Sequence, residues 1–179
     1  LNGEKLCHHE GGYSAFRVEL TEKLQDRNLL EIYVSNKDND RVYPQKADFT
    51  FYGGLYREVR LITVPGEHFE LLRDGTPGIK VTPIVDLEKH SASVTVETWQ
   101  NADSVNVTVN GESKTVPSES GHAQAEFVIE NVHLWDGVDD PYLYTATAKL
   151  ESGDETSARF GCRVFRIDPE KGFYLNGRS

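Results

Sequence analysis

Apolar and polar residues alternate along most of this chain, and that period of two is the feature that most restricts its fold. Between residues 91 and 99, for example, Ala92, Val94 and Val96 would all lie on one face of a β-strand. No segment longer than one turn has the spacing of an amphipathic helix, and Thr21 is placed to cap one short helical turn. The pattern therefore predicts an all-β fold and argues against an α/β fold.

After residue 65 the predicted strands become shorter and alternate more regularly, which predicts a domain boundary there. Beyond it the chain reads as about seven short strands separated by turns, the spacing typical of an immunoglobulin-like β-sandwich. Asn110-Gly111 lies in this part and is a strong signal for a two-residue hairpin turn. We therefore expect a first β domain over residues 1–65, an immunoglobulin-like β-sandwich over residues 66–163, and a linker with a short hairpin over residues 164–179.

Net charge and cysteine content exclude several classes of function. The chain carries 19 Lys and Arg against 29 Asp and Glu, a net charge of −10, and its basic residues are not clustered. A protein that binds nucleic acid needs a basic surface to neutralise phosphates, so we expect no nucleic-acid partner. No apolar run approaches the roughly 20 residues that span a bilayer, so we expect no membrane partner. Cys7 and Cys162 are too few for a disulfide framework and are expected to be free thiols.

Two stretches contain metal-binding residue types without the spacing that a metal site needs. His8 and His9 are adjacent, so their side chains would point to opposite faces of a strand, and we interpret them as surface histidines. Residues 36–41 contain acidic and amide side chains but lack the glycine and the distal glutamate of a calcium loop. The G-x-S-x-G, G-x-G-x-x-G and P-loop patterns are also absent. We therefore predict no metal and no cofactor.

The segment from Asp48 to Val64, DFTFYGGLYREVRLITV, places an aspartate before aromatic residues and two adjacent glycines, which an ordinary strand does not require. Gly53 and Gly54 would let the backbone turn with positive φ between bulky neighbours. Asp48 is the candidate functional residue, because a carboxylate accepts hydrogen bonds from two hydroxyl groups at once. The alternative is that Asp48 caps the turn locally.

Three stretches together resemble glycoside hydrolase family 2, the family of the large β-galactosidases, β-glucuronidases and β-mannosidases. Residues 48–64 resemble its signature, an aspartate followed by aromatic residues and then by Gly-Gly-Ile/Leu-Tyr-Arg-Asp/Glu-Val. Residues 134–150 are similar to its Leu-Trp, Pro and Leu-Tyr pattern. Residues 160–178 are similar to its Gly-Phe-Arg and Gly-Phe-x-Leu-Asn-Gly-Lys/Arg pattern, although Cys162 stands where the family usually has Phe. The resemblance extends along the whole chain.

This resemblance implies that the chain is a non-catalytic N-terminal fragment of a retaining exo-glycosidase that hydrolyses terminal β-glycosides, with β-galactosides favoured. Residues 1–65 would be the C-terminal part of a jelly-roll, galactose-binding-like domain, and residues 164–179 would lead into a missing catalytic (β/α)8 barrel. Asp48 would bind hydroxyl groups of the terminal sugar at the rim of that barrel. The family's acid/base is a Glu that follows an Asn, and because the chain contains no Asn-Glu pair we expect no catalytic residue here.

The expected partner is a β-linked sugar, which the chain would reach only together with the barrel. Homo-oligomers are a further expectation, because this family often assembles through its front domains. A free-standing carbohydrate-binding or structural β-sandwich module is the alternative from a different class of function. Such a module would use aromatic rings as a stacking platform, whereas we expect these rings to pack in the core or at a domain contact. The aromatic residues concerned are Trp99, Trp135, Tyr142 and Tyr144. The sequence leaves the cellular compartment open.

Overall fold

Strands account for almost all the regular structure of this chain. A computed structural model describes residues 1–37, 39–42, 48, 50 and 52–178. Apart from one short 3-10 turn, the elements within these ranges are strands, which confirms the prediction of an all-β fold. None of the described residues belongs to a helix long and apolar enough to cross a membrane. The chain divides into Leu1–Ile62, here called unit 1, and Thr63–Ser179, here called unit 2.

Unit 1 contains the predicted helical turn as a 3-10 helix at Thr21–Lys23. The prediction that Thr21 caps this turn is wrong, because Leu20 occupies the N-cap position and no side chain caps the turn. The hydroxyl of Thr21 lies within the turn rather than before it, where an N-cap oxygen accepts a backbone hydrogen bond. The turn is closed by the Lys23 N–H, which donates to the Leu20 carbonyl at 2.8 Å.

The other described residues of unit 1 form no strand ladder with one another. Alternation around Phe16, Ile32 and Leu61 predicted strands there, yet these side chains are 51%, 44% and 79% exposed. Alternation decides which side chains share a face, whereas a ladder also requires a neighbouring strand that exchanges hydrogen bonds. The assignment of residues 1–65 to a jelly roll stays a prediction.

Unit 2 is built on two antiparallel sheets and a hairpin. Its described strands are β1 (Ile79–Asp86), β2 (Ser91–Trp99), β3 (Ser104–Val109), β4 (Glu112–Pro117), β5 (His122–Glu130), β6 (Tyr144–Lys149), β7 (Glu155–Phe160), β8 (Phe165–Asp168) and β9 (Gly172–Leu175). One sheet has the order β1-β2-β5, the other has the order β4-β3-β6-β7, and β8 pairs with β9. Seven strands thus form the two sheets of a β-sandwich, and the assignment of residues 66–163 to the immunoglobulin-like type stays a prediction.

The core of unit 2 lies between the two sheets. Val94 and Val96 of β2, and Val105 and Val107 of β3, are each at most 1% exposed. Alternate residues of a strand share one face, so the period-two pattern placed these valines inward as predicted. Burying such a side chain contributes roughly 1.5–3 kcal/mol. This packing is therefore a main source of the stability of unit 2.

Two side chains of β7 and the turn before it attach the segment preceding β1 to the sandwich. The Asp154 carboxylate accepts a hydrogen bond from the Phe69 N–H at 2.8 Å. The Thr156 hydroxyl donates to the Pro77 carbonyl at 2.8 Å. Phe69 and Thr156 are both buried, so these bonds satisfy polar groups that water does not reach freely.

Gly78 allows the same segment to approach the backbone of its neighbours closely. Its φ is +71°, and a Cβ at this position would stand 2.6 Å from the Glu70 carbonyl oxygen. Two backbone bonds fix this approach: the Glu70 N–H donates to the Trp99 carbonyl at 2.8 Å, and the Trp99 N–H donates to the Gly78 carbonyl at 3.0 Å. Glycine is therefore required here by both conformation and space.

Candidate functional site

Asp48 lies at an exposed bend of unit 1. Its side chain makes no hydrogen bond or ion pair with any residue that the structure describes. No described neighbour therefore holds it as a local turn cap, and its carboxylate oxygens face solvent as acceptors. The adjacent Ala47 and Phe49, and Phe51 of the same motif, lie outside the described residues.

Glu10 attaches the segment that leads to Asp48 to a turn near the start of the chain. One of its carboxylate oxygens, Oε1, accepts a hydrogen bond from the Arg41 guanidinium. The same oxygen lies 3.4 Å from Asn39 Nδ2 and 3.4 Å from His8 Nε2. Side-chain nitrogens of three residues therefore contact the same carboxylate oxygen of Glu10.

The electrostatic surroundings keep Glu10 ionised. Burial raises the pKa of this carboxyl group, but the hydrogen bond to His8 and the charge of Arg41 together outweigh that effect. The resulting pKa lies below the ordinary value of 4.5. Glu10 is therefore an anion at neutral pH and attracts Arg41.

The segment on the other side of Asp48 rests on the same early turn. The Tyr56 hydroxyl donates to the Gly12 carbonyl at 3.2 Å. Gly54 has a φ of +96°, as predicted, whereas Gly53 does not have the positive φ that was expected of both glycines. A Cβ at Gly53 would stand 3.1 Å from the Asn36 side chain, which would have to move by a few tenths of an ångström to admit it.

His9 is held inside the same turn by contacts with neighbouring residues. Its Nε2 lies 3.0 Å from the Gly11 carbonyl oxygen and 3.2 Å from Ser14 Oγ. Its ring stacks on Phe16 with 4.6 Å between the centroids. Within the described ranges, no three His, Cys, Asp or Glu side chains are grouped so that they would hold a metal ion.

A shallow polar cavity of about 380 Å³ opens in unit 2, and sequence reasoning missed it. His133 Nε2 lies 2.6 Å from Asp140 Oδ2. Asp136 forms an ion pair with Arg178, and this hydrogen bond raises the pKa of the guanidinium. The lining residues are Val132, His133, Leu134, Asp136, Asp140, Asn176 and Arg178. The sequence signal that would have predicted the ion pair is the opposite charge of Asp136 and Arg178.

Asn176 anchors the β8–β9 hairpin beside this cavity. Its Oδ1 accepts a hydrogen bond from the Val164 N–H at 3.0 Å, and its backbone N–H donates to the Val164 carbonyl at 2.7 Å. Its Nδ2 donates to the Trp135 carbonyl at 3.0 Å. The hairpin is therefore fastened to the sandwich by an amide side chain whose donor and acceptor are both used.

The two carboxylates of the cavity already have bonding partners. A retaining glycosidase uses two carboxyl groups roughly 5–5.5 Å apart, one as acid and one as nucleophile. Asp136 and Asp140 are instead paired with Arg178 and His133. Among the described residues that line the cavity there is no hydroxyl, thiol or amine nucleophile. The arrangement therefore fits an anchor for the hairpin better than a reaction centre.

Among the four aromatic side chains singled out above, Tyr142 is 40% exposed and stacks on the ring of His133, whereas the other three are buried or half-buried. Tyr144 is 8% exposed and belongs to the core, as expected. The Arg73 guanidinium lies 5.3 Å from the ring centroid of Trp99. The Arg163 guanidinium lies 4.7 Å from that of Trp135. Each tryptophan thus has a cation over a ring face that a sugar would otherwise stack on.

Both cysteines are free thiols, as predicted. Cys162 is buried, and burial raises its pKa to about 11. Its thiol is therefore protonated at neutral pH and is not a nucleophile. Cys7 is exposed.

The described residues thus form an all-β chain with an exposed carboxylate in unit 1 and a polar cavity in unit 2 whose two aspartates are already bonded to other side chains. The family described as glycosyl hydrolases family 2 matches residues 74–163, which is half of the chain. The chain belongs to this family.

Known members of the family resemble the chain over its full length. It is 29% identical to a β-glucuronidase of Bacteroides fragilis, covering 99% of this chain and 29% of that protein. It is 30% identical to a β-galactosidase of Thermoanaerobacterium thermosulfurigenes, covering 100% of this chain and 27% of that protein. The crystal structure of an FMN-binding β-glucuronidase from Facaelibacterium prausnitzii L2-6 matches with a TM-score of 0.83 and 35% identity, covering 99% of this chain and 29% of that one. The chain thus spans less than a third of the length of these relatives.

Proposed function

We propose that this chain is the non-catalytic front section of a retaining exo-glycosidase that hydrolyses terminal β-glycosides. The observation that carries the proposal is the match over 99–100% of this chain to enzymes of which it covers only 27–29%. The absence of an Asn-Glu pair from the chain supports it, since the family resemblance places the acid/base in such a pair. The two carboxylates of the cavity in unit 2 are already bonded to His133 and Arg178, which also supports a non-catalytic role.

Asp48 is the residue through which this section would act on the substrate. Its exposed carboxylate can accept bonds from two sugar hydroxyl groups, and each bond to a charged group contributes roughly 1.5–3 kcal/mol. Bonds that strengthen as the sugar ring distorts favour the transition state over the bound substrate. Glu10 and Tyr56 attach the segments on either side of Asp48 to one turn, which would limit the freedom of the carboxylate.

We propose β-galactosides as the first substrate class, as the sequence patterns favour, and β-glucuronides as the second. A relative at 30% identity is named a β-galactosidase, whereas relatives at 29% and 35% identity are named β-glucuronidases. Both sugars present ring hydroxyl groups, so Asp48 would bind either one. The groups that distinguish them would belong to the catalytic part of the parent enzyme.

The proposal is tested by assaying the full-length parent beside the 179-residue chain with chromogenic β-galactoside, β-glucuronide and β-mannoside. We expect the parent to hydrolyse at least one of them and the chain alone to hydrolyse none. A folded parent that turns over none of the three would contradict the proposal. Turnover by the chain alone would contradict the assignment of a non-catalytic role.

The alternative of a free-standing carbohydrate-binding module makes a different prediction for the chain alone. Titration calorimetry with galactose, glucuronate and short β-linked oligosaccharides separates the two functions. We expect no measurable binding, because a single exposed carboxylate without an aromatic platform offers too few contacts. Saturable binding by the chain, reduced in an Asp48→Ala variant, would favour the module.

A further inference from the structure

Three Asn-Gly pairs occur in this chain, and the structure gives all of them the same backbone conformation. The asparagines Asn2, Asn110 and Asn176 have φ values of 51°, 49° and 49°, and the glycines that follow them have 84°, 83° and 82°. Positive φ at both central residues is the signature of a tight type I′ turn. Differences in chemistry among the three pairs must therefore come from their side chains.

The side chains of Asn2 and Asn176 are immobilised by hydrogen bonds. Asn2 Oδ1 accepts from the Leu29 N–H at 2.9 Å, and Asn2 Nδ2 donates to Asn28 Oδ1 at 3.0 Å. The Asn176 amide is held in the same way, with its oxygen bonded to a backbone N–H and its nitrogen bonded to a backbone carbonyl, each at 3.0 Å. Both amides would have to break two bonds before they rotate.

Asn110 differs from the other two in having a free side chain. It lies at the exposed tip of the hairpin between β3 and β4. Its amide makes no hydrogen bond with any residue that the structure describes. The residue that follows, Gly111, has no side chain to shield its backbone nitrogen, and a Cβ there would meet no atom within 4 Å.

We propose that Asn110 is a site of spontaneous deamidation, and that Asn2 and Asn176 are protected from the same reaction. The backbone nitrogen of Gly111 attacks Cγ of Asn110, so that an N–Cγ bond forms and the Cγ–Nδ2 bond breaks. Ammonia leaves, carrying the proton lost by the Gly111 nitrogen, and a cyclic succinimide remains. Water then opens either carbonyl of the ring and yields aspartate or isoaspartate. No oxidant, reductant or enzyme is required.

Deamidation would alter the turn that joins β3 to β4. Val109 and Glu112 are paired across the turn, and β3 is an interior strand of its sheet. Isoaspartate inserts an extra backbone carbon into a two-residue turn, which the paired register does not accommodate. Either product also adds a negative charge close to Glu112. Deamidation would therefore loosen β4, the edge strand of this sheet.

The test is to hold the folded protein in mildly alkaline buffer and to quantify aspartate and isoaspartate at each asparagine by peptide mass spectrometry over time. We expect Asn110 to react roughly tenfold faster than Asn176, since Asn176 must first break two hydrogen bonds. In denaturant the three rates should become similar, because the bonds that distinguish them are gone. Equal rates at Asn110 and Asn176 in the folded protein would overturn the proposal.

A further variant separates the effect of hydrogen bonding on the deamidation rate from the effect of exposure. Asn28→Ala removes the acceptor of the Asn2 amide at an exposed position, so the rate at Asn2 should rise while the rate at Asn110 stays the same. An unchanged rate at Asn2 in a folded Asn28→Ala protein would show that the bond between the two amides does not protect Asn2, and that part of the proposal would fall. Gly111→Ala hinders the attacking nitrogen and should suppress the reaction at Asn110 alone.

Discussion

The two units of this chain use similar sequence patterns with different results. In unit 2 the inward residues of neighbouring strands meet, and Val96 and Ala146 are fully buried. In unit 1 alternation of the same kind leaves Phe16 51% exposed and Leu61 79% exposed. The difference teaches that alternation specifies a face but not what covers it. A covered face needs a hydrogen-bonded neighbour in its own sheet and an opposing layer.

Introducing Ala at one glycine in each unit is expected to give the largest contrast. Gly78→Ala in unit 2 should destabilise that unit by about 3–5 kcal/mol, because its Cβ would collide with backbone that two hydrogen bonds hold in place. Gly54→Ala in unit 1 should cost only about 1–2 kcal/mol, because its φ is positive but its surroundings are open. Denaturant unfolding measures both.

Tryptophan fluorescence makes this measurement specific to one unit. The two tryptophans, Trp99 and Trp135, both belong to unit 2. Gly78→Ala should therefore shift the fluorescence transition, whereas Gly54→Ala should leave it in place and change only the circular dichroism signal of unit 1. A fluorescence transition that does not move in Gly78→Ala would show that this close approach is not rigid.

The buried attachment of the segment before β1 is expected to contribute the next largest effect. Asp154→Ala leaves the N–H of buried Phe69 without its acceptor and should cost roughly 1.5–3 kcal/mol. Asp103→Ala is the matched control, since Asp103 is exposed and its side chain makes no hydrogen bond or ion pair with any residue that the structure describes. The control should change stability by less than about 1 kcal/mol. Equal effects of the two variants would mean that the bond to Phe69 contributes nothing.

Two buried threonines of unit 2 give a smaller contrast of opposite sign. The Thr156 hydroxyl donates to Pro77, whereas Oγ1 of Thr98 has no hydrogen-bond partner among the described residues. Thr156→Val should therefore cost about 1 kcal/mol, and Thr98→Val should be neutral or stabilising by a similar amount. Denaturant midpoints followed by fluorescence decide the signs. Destabilisation by Thr98→Val would indicate that its hydroxyl has a partner such as an ordered water.

The smallest expected effect is a pH dependence in unit 1. The pKa of Glu10 is lower in the folded chain than in the unfolded chain, so its contribution to stability is present above the ordinary pKa of 4.5. That contribution is lost as the pH falls through the lowered value, when the proton displaces Arg41. The protection of the amides of residues 39–42 against hydrogen exchange, measured relative to the intrinsic exchange rate at each pH, should therefore fall in acid. Glu10→Gln should remove this pH dependence, and its persistence in that variant would assign it to another group.

Much of unit 2 could be predicted from the sequence because its signals are local. The inward valines and the Asn110-Gly111 turn follow from period two and from the backbone freedom of an Asn-Gly pair. The anchoring of the hairpin by Asn176 could not be predicted, because its partners Val164 and Trp135 are distant and are backbone groups. Side-chain identity carries little information about which remote carbonyl a side chain will meet.

The candidate site in unit 1 was predictable only in part. Asp48 was singled out by its family pattern, and its exposure agrees with an acceptor that faces outward. The support from Glu10 was not predicted, because adjacent His8, His9 and Glu10 read as surface residues. The bond to Arg41 joins residues 31 positions apart, and only the folded chain brings them together.

The most direct test of the account compares Asp48→Ala with Asp40→Ala in the full-length parent enzyme. Asp40 is another exposed aspartate of the same region, so the two variants lose the same charge. We predict that Asp48→Ala lowers kcat/KM by about 10- to 100-fold, the value of one hydrogen bond to a charged group, with little change in Tm. Asp40→Ala should retain full activity. Equal activity of the two variants would contradict the role of Asp48 in binding the sugar.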